Sequence, residues 1–300
     1  MKPNANATPL PPSDELIRRK EQAQAWFKGL RDRICADFEA LEDALASGPH
    51  ADRPPGRFER KAWNRVDDKP EAGGGGVISV MKGRVFEKVG VNISTVFGTF
   101  SPDFAKEIPG AVDDPNFFAT GISLVSHLQS PLVPAVHMNT RFIVTSRAWF
   151  GGGADLTPMK PNPDDTRDFH ATMKAACDKF GADYYERFKK WADEYFFLKH
   201  RNEPRGVGGI FYDYQDSGDW AHDFAFTQAV GEAFREIYPA LVARHMHRPW
   251  TEEERAHQLM CRGRYAEFNL IQDRGTRFGL MTGGNTEAIL MSLPPVVTWS

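Results

Sequence analysis

The chain has 300 residues, of which 41% are hydrophobic and 26% are charged, with a formal net charge of −3. That size supports a large buried core, and the mildly acidic balance without a dominant basic stripe excludes nucleic acid as the main partner. No apolar run approaches the roughly 18 residues that a membrane span needs. The three cysteines have no disulfide-like spacing, so we predict a cytoplasmic protein.

The N-terminal third is predicted to contain one long helix followed by short strands. Residues 1–12 lack the apolar core of a signal peptide and are expected to form a disordered tail, followed by a single domain over residues 13–300. Apolar residues at helical spacing predict a helix from Ser13 to Ala46. Strands are predicted over 58–65, 77–81 and 85–97, the last broken near Gly90, with a flexible connector at 73–76.

The rest of the chain mixes strands and helices without regular alternation. Strands are predicted over 121–128, 136–150 and 208–214, and helices over 102–106, 165–180, 184–198 and 219–244. Asp164 or Asp165 is the predicted N-terminal cap of the helix over 165–180. A capping box at Thr251 and Glu254 predicts the start of a further helix. Residues 265–271 and 276–281 are predicted to pair as a hairpin. This order favours an α+β fold, with an antiparallel sheet covered by helices, over a doubly wound parallel sheet.

The predicted strand from Val136 carries the most informative polar residues. Because strand side chains alternate between two faces, His137, Asn139 and Arg141 share one face. An imidazole, an amide and a guanidinium in a row are costly to bury without partners. Together they suit a carboxylate-bearing ligand that gains or loses a proton. The alternative interpretation is an exposed strand face without a ligand.

Three further segments contain candidate binding residues. Gly151–Gly153 allows close backbone approach to a ligand or to another strand. His200 and Arg201 follow a helix, where they face an anion or complement the helix C-terminus. Backbone N–H groups of Gly283, Gly284 and Asn285 are predicted to form an anion-binding concavity.

The histidines show no metal motif at local spacing. The sequence has no HExxH motif and no cysteine partner at ligand spacing, so only tertiary structure can gather His127, His137, His170 and His200. Four others are predicted to lie at the surface: His222, His245, His247 and His257.

Ten segments between residues 57 and 297 occur in the order found in one known family. They are residues 73–76, 85–94, 123–127, 136–141, 149–158, 199–203, 208–211, 267–270, 273–276 and 282–284. Taken together they resemble the oxygen-dependent coproporphyrinogen III oxidase family. No single segment is specific, but ten in the same order are.

The resemblance implies a large flat antiparallel sheet covered by helices on both faces, in a homodimer. It implies oxidative decarboxylation of two propionates of coproporphyrinogen III to vinyl groups, with O2 as co-substrate, giving protoporphyrinogen IX in haem biosynthesis. No organic cofactor is implied, in agreement with the absence of a dinucleotide-binding motif. Bacterial members imply a divalent metal, Mn2+.

Site residues follow from the resemblance by position. The catalytic residues would be His137, as proton donor, with Asp273 and Arg274. The substrate-binding residues would be Ser123, Asn139, Thr140, Arg141, Gly283, Gly284 and Asn285. The metal ligands would be His127, His137, His170 and His200. Two positions depart from the family, since many relatives have Arg at position 285 and Tyr at position 272.

The chemistry of the residues supports the substrate more than the metal. Coproporphyrinogen carries four carboxylates, which guanidinium groups bind bidentately, and five arginines are candidates: Arg141, Arg147, Arg201, Arg274 and Arg277. Four aromatic residues are expected to line the macrocycle site: Trp149, Phe150, Phe211 and Tyr212. Manganese and magnesium prefer oxygen ligands to four imidazoles. A non-catalytic tetrapyrrole-binding protein on the same fold is the alternative function; a cupin-like dioxygenase would need a histidine–carboxylate triad that the sequence lacks.

Overall fold

An antiparallel sheet forms the centre of the molecule. The computed structural model describes residues 8–65, 73–281 and 285–299. The strands in these residues are β1 (Glu59–Asn64), β2 (Gly73–Met81), β3 (Phe86–Thr99), β4 (Asn116–Leu128), β5 (Ala135–Val144), β6 (Ala148–Thr157), β7 (Phe197–Leu198), β8 (Glu203–Pro204) and β9 (Gly208–Gln215). Seven of them form one sheet in the order β1-β2-β3-β4-β5-β6-β9, with every neighbouring pair antiparallel, and β7 pairs only with β8.

Helices cover both faces of this sheet. In the same described residues they are α1 (Ser13–Ala44), α2 (Pro102–Ala105), α3 (Pro163–Asp178), α4 (Tyr184–Tyr195), α5 (Trp220–His245), α6 (Glu252–Ile271), α7 (Arg274–Met281) and α8 (Thr286–Leu290). Helices α1 and α5 pack on β3–β6 at one face. At the other face, the backbone oxygen of Ala288 in α8 accepts a hydrogen bond from Asn92 of β3. The predicted α+β class is confirmed.

Helix α1 illustrates how the main core forms. Its residues Phe27, Leu30, Ile34 and Phe38 recur every three or four positions and are at most 1% exposed. This spacing places them on one stripe of the helix, which packs against α5 and against β3 and β4. The predicted helix of residues 13–46 therefore matches α1 to within two residues.

Strand β5 separates an apolar face of the sheet from a polar one. Met138, Thr140 and Phe142 are fully buried, whereas His137, Asn139 and Arg141 are partly exposed on the opposite side. We call the side under α1 and α5 the core face and the side that carries His137, Asn139 and Arg141 the polar face. The face predicted from the period-two pattern is confirmed.

Several predicted element boundaries are wrong, for identifiable reasons. Gly73–Gly76 is no connector, because it pairs with β1 on one side and β3 on the other as the start of β2. Strand β3 continues past Gly90, where glycine gives room for Met291. Helix α3 is capped by Asn162, whose side chain accepts from the backbone N–H groups of Asp164 and Asp165.

The predicted hairpin over residues 265–281 is also wrong. Residues 265–271 are the last turns of α6, because the helix begun by the capping box of Thr251 and Glu254 continues for 20 residues. After it, the Asp273 carboxylate accepts hydrogen bonds from the N–H and hydroxyl of Thr276 and so begins α7. A short run of apolar and aromatic residues fits either a strand or a buried helix, and length decides.

The N-terminal end of the described chain contacts the body of the molecule. The backbone N–H of Thr8 donates to Asp216 at 2.9 Å, and Leu10 packs against the main core. Residues 1–7 of the predicted tail lie outside the described residues. None of the helices within residues 8–65, 73–281 and 285–299 has the length and apolar character to cross a membrane.

We expect the fold to depend strongly on Glu42. This fully buried carboxylate accepts hydrogen bonds from four backbone N–H groups, of Gly56, Arg84, Val85 and Phe86, each at 2.9 Å. Glu42→Ala should lower the free energy of unfolding by about 3 kcal/mol or more, because it leaves buried donors unpaired. Asp43→Ala is the control, since Asp43 and its partner Arg57 are exposed and such pairs contribute about 0–1 kcal/mol. Equal losses in urea unfolding would contradict this role.

Candidate active site

The residues of the polar face are aligned in rows that cross the strands. Directly paired residues of antiparallel strands lie on the same face. Ser123 of β4 pairs with Asn92 of β3 and with Asn139 of β5, and Asn139 pairs with Gly153 of β6. His137 pairs with Asp155 in the next row. A continuous polar surface therefore spans β3 to β6.

His137 is linked through Asp155 to the buried Arg205. Its Nδ1 lies 2.9 Å from Oδ1 of Asp155, and Oδ2 of Asp155 accepts from Nη2 of Arg205 at 2.6 Å. Burial opposes ionisation of Asp155, but Arg205 and His137 outweigh it and hold the pKa of this carboxyl below its usual range. An ionised carboxylate only accepts, so Nδ1 of His137 carries the hydrogen. This leaves Nε2 of His137 to exchange a proton.

Arg205 joins His137 and Asp155 to helix α6. Its guanidinium lies 4.2 Å from the ring centroid of Phe196, 4.6 Å from that of Tyr265 and 4.5 Å from that of Phe268. The side chain is only 2% exposed. Cation–π contacts of this kind strengthen when water is excluded, so the aromatic rings and Asp155 together hold Arg205 in place.

Arg141 forms the next charged pair of the polar face. Its Nη2 lies 2.8 Å from Oδ2 of Asp213 in β9, and Nε1 of Trp149 donates to Oδ1 of the same carboxylate at 3.2 Å. Position 151 beneath this pair must be glycine, because a Cβ there would approach Oδ1 of Asp213 to 2.6 Å. Part of the glycine triplet therefore makes room for side chains of the site.

Asp273 and Arg274 are held at the same face by Tyr195. The tyrosine hydroxyl donates to Oδ1 of Asp273 at 2.8 Å and accepts from the backbone N–H of Arg274 at 3.0 Å. Burial opposes ionisation of Asp273, but hydrogen bonds from Thr276 and Tyr195 and the nearby His137 outweigh it and lower the pKa of this carboxyl. The side chain of Asp273 is therefore a carboxylate at neutral pH, and it lies close enough to His137 for the two groups to interact electrostatically.

Comparison with known proteins identifies the family of this chain. A family model described as coproporphyrinogen III oxidase matches residues 22–300. The chain belongs to this family. A protein of Rickettsia bellii (strain RML369-C) named oxygen-dependent coproporphyrinogen-III oxidase is 59% identical over 283 residues, which cover 94% of this chain and 99% of the relative. One with the same name from Rickettsia conorii (strain ATCC VR-613 / Malish 7) is 58% identical over 284 residues, 95% of this chain and 99% of the relative.

The structure gathers some of the site residues carried over from the coproporphyrinogen oxidase family and separates others. Thr140 is fully buried on the core face, away from Asn139 and Arg141. Asn285 caps α8, with its side chain accepting from the backbone N–H of Ala288 at 3.0 Å. Gly283 and Gly284 lie outside the described residues.

The expected aromatic lining is also divided between the two faces. Phe150 and Tyr212 belong to the core face, where Phe150 packs on Phe224 and the Tyr212 hydroxyl donates to Thr227. Only Trp149 and Phe211 lie on the side of the polar face, so the expectation for Phe150 and Tyr212 is wrong. The reason is that neighbouring residues of a strand point to opposite faces, so each of the two aromatic pairs, Trp149-Phe150 and Phe211-Tyr212, is divided between the faces.

The four histidines implied as metal ligands have separate partners. Nε2 of His127 donates to the backbone oxygen of Ser292 at 3.0 Å, and His170 contacts the backbone oxygen of Val207 and the hydroxyl of Tyr185. His137 is bound to Asp155, and Nε2 of His200 lies 2.8 Å from Glu267. In the described part of the chain, no three His, Cys, Asp or Glu side chains are arranged to hold a metal ion. The implied ligand set therefore does not fit this geometry.

Several residues of the site were not predicted from the sequence. Asp155 and Asp213 were detectable by alternation, because Asp155 is two residues beyond Gly153 and Asp213 two beyond Phe211. Tyr195 and Arg205 had no such signal, since α4 and the loop before β9 meet the polar face only through folding.

His245, predicted at the surface, is buried with Nε2 2.8 Å from Asp165, because the last turn of α5 packs on α3.

We expect His127 to destabilise the protein at acidic pH. Complete burial lowers the pKa of His127 from about 6.5 to about 3. Between these values the unfolded chain binds the proton and the folded protein does not, so stability is retained above pH 6.5 and lost toward pH 3. Over this range the free energy of unfolding is expected to fall by about 1.4 kcal/mol for each unit by which the pH is lowered. His127→Gln should reduce the pH dependence of unfolding in urea between pH 6 and pH 4. Equal slopes for both proteins would refute the assignment, whatever their absolute stabilities.

Proposed function

We propose that this chain catalyses the oxidative decarboxylation of two propionate side chains of coproporphyrinogen III to vinyl groups. O2 is the co-substrate and protoporphyrinogen IX, an intermediate of haem biosynthesis, is the product. The main support is the convergence of His137, Arg141 and Asp273 on one polar face, in a chain that matches its named relatives over almost their whole length.

The stoichiometry of the reaction defines what the site must supply. For each side chain, R–CH2–CH2–COO⁻ + O2 + H⁺ gives R–CH=CH2 + CO2 + H2O2. The propionate loses a proton, CO2 and two electrons, and O2 takes up the two electrons and two protons to form H2O2. One further proton is therefore consumed for each vinyl group formed. The site therefore needs cationic groups for the carboxylates and a proton donor close to the reacting side chain.

We assign these roles to the residues of the polar face. Arg141 and Arg274 bind substrate carboxylates through the planar donor fork of guanidinium. His137, oriented by Asp155, delivers the proton from Nε2. The Asp273 carboxylate accepts hydrogen bonds from pyrrole N–H groups at the centre of the macrocycle. Ser123 and Asn139 contribute polar contacts beside Arg141.

No organic cofactor takes part, and no step is assigned to a metal. Residues 13–300 act as a single domain in a cytoplasmic homodimer. Self-association is supported by exposed apolar side chains near the ends of α6 and α7, namely Leu270, Ile271, Leu280 and Met281. The free cysteines Cys35, Cys177 and Cys261 support a reducing compartment.

The decisive experiment follows protoporphyrinogen formation from coproporphyrinogen III by the purified protein under air and under argon. The proposal requires product and carbon dioxide under air and neither under argon. Substrate binding without turnover under air would support the non-catalytic tetrapyrrole-binding protein instead. Turnover of equal rate under argon would exclude O2 as the oxidant.

We expect Asp273→Asn to abolish most of the turnover while preserving the fold. Asparagine still caps a helix, but it lacks the negative charge and the proton affinity, and such groups contribute about 10²–10⁴ in rate. The control is Asp164→Asn, an exposed carboxylate in the first turn of α3, which should leave kcat unchanged. A kcat for Asp273→Asn within threefold of that of the wild type would leave Asp273 as a helix cap only.

We expect the protein to retain most of its activity after exhaustive removal of divalent metal. The physical reason is that His127, His137, His170 and His200 each have a separate partner and do not converge on one ion, while manganese prefers oxygen ligands to a set of imidazoles. Metal analysis of the chelated protein should accompany the assay. An inert metal-free protein that one equivalent of Mn2+ restores would disprove this expectation.

A further inference from the structure

The dipeptide Asp213-Tyr214 at the end of β9 contacts two arginines from different parts of the chain. Asp213 binds Arg141 of β5, with Oδ2 and Nη2 2.8 Å apart. The Tyr214 hydroxyl accepts from Nη2 of Arg274, the first residue of α7, at 3.3 Å. Two adjacent residues therefore fix the cations that the proposed function assigns to substrate carboxylates.

Asp213 is a rigid anchor for Arg141. One of its oxygens, Oδ1, accepts from Nε1 of Trp149 at 3.2 Å and from the backbone N–H of Tyr214 at 3.1 Å, which leaves Oδ2 for Arg141. The Asp213 side chain is only 7% exposed, whereas that of Arg141 is 28% exposed. The carboxylate is thus fixed beneath a guanidinium that still reaches solvent.

Tyr214 has a conformation that is unfavourable for an aromatic residue. Its φ is +54°, in the left-handed region, which is uncommon for residues with a bulky side chain. Its ring packs on Trp149, with the centroids 5.6 Å apart, and the pairing of β6 with β9 is irregular beside it, between Phe150 and Gly152. Backbone strain of this kind concentrates at functional sites. The left-handed turn directs the tyrosine hydroxyl to Arg274.

We propose that Asp213 and Tyr214 are positioning residues that hold Arg141 and Arg274 as a clamp for one propionate of the substrate. This inference rests on the proposed function. A guanidinium has five N–H donors. The contact with Asp213 or Tyr214 uses only some of them, so the other N–H groups of Arg141 and Arg274 can bind the propionate. Two arginines and one aspartate give this clamp a net charge of +1, which matches a single alkyl carboxylate.

The test variant is Tyr214→Phe, which removes the hydroxyl and keeps the ring. We expect KM for coproporphyrinogen III to rise about three- to tenfold, as for the loss of one hydrogen bond, with kcat within twofold of the wild-type value. The matched control is Tyr212→Phe, which also loses a hydroxyl hydrogen bond, to Thr227, but on the core face. Its KM should not change, and thermal unfolding of both variants reports whether they fold.

A binding measurement separates this inference from the proposed function. Coproporphyrin III and its tetramethyl ester are used as probes, and their binding is followed by quenching of porphyrin fluorescence. The wild-type protein should prefer the free acid, and Tyr214→Phe should reduce that preference about three- to tenfold through weaker binding of the acid alone. If the wild-type protein binds but does not turn over substrate, the proposed function fails while this comparison still tests the clamp. An unchanged preference in Tyr214→Phe, or an equal reduction in Tyr212→Phe, would overturn the inference.

Discussion

The contact between Asp155 and Arg205 is the interaction on which the arrangement of the polar face depends. Both side chains are at most 2% exposed, and their charged atoms are 2.6 Å apart. Removing one partner of a buried ion pair costs about 3–5 kcal/mol, because the other charge is left without compensation. Asp155 belongs to the sheet, whereas Arg205 lies among rings contributed by Phe196 and by Tyr265 and Phe268 of α6. The pair therefore fixes helix α6 relative to the strands.

The two faces of the sheet perform different tasks. The core face provides stability through close packing of apolar side chains against α1 and α5. The polar face contains charges whose partners are other site residues, so that each carboxylate there contacts a histidine, an arginine or a tyrosine. Preorganised charges of this kind need no rearrangement when a substrate binds. Strand β5 contributes to both tasks, because its alternate residues belong to opposite faces.

The sequence predicted the sheet and the site residues of strand β5 because both follow from local periodicity. The alternation along β5 placed His137, Asn139 and Arg141 correctly without any tertiary information. The hairpin prediction failed because a short apolar run does not distinguish a strand from the end of a long helix. The resemblance supplied Asp273 and Arg274 by position, yet the geometry around them depends on Tyr195, 78 residues earlier in the chain. Side chains that meet only through folding leave no pattern in a single sequence.

The attachment of residues 285–299 also affects how the protein forms during synthesis. Three side chains of the sheet bind backbone oxygens of this segment: Lys88 binds Leu293, Asn92 binds Ala288 and His127 binds Ser292. These contacts join residues that are 165 to 205 positions apart. On the ribosome, the strands and α1 emerge first and can bury the core face, while the polar side chains remain hydrated. The polar face is therefore completed after the hydrophobic core, because its contacts with residues 285–299 form only when the end of the chain has emerged.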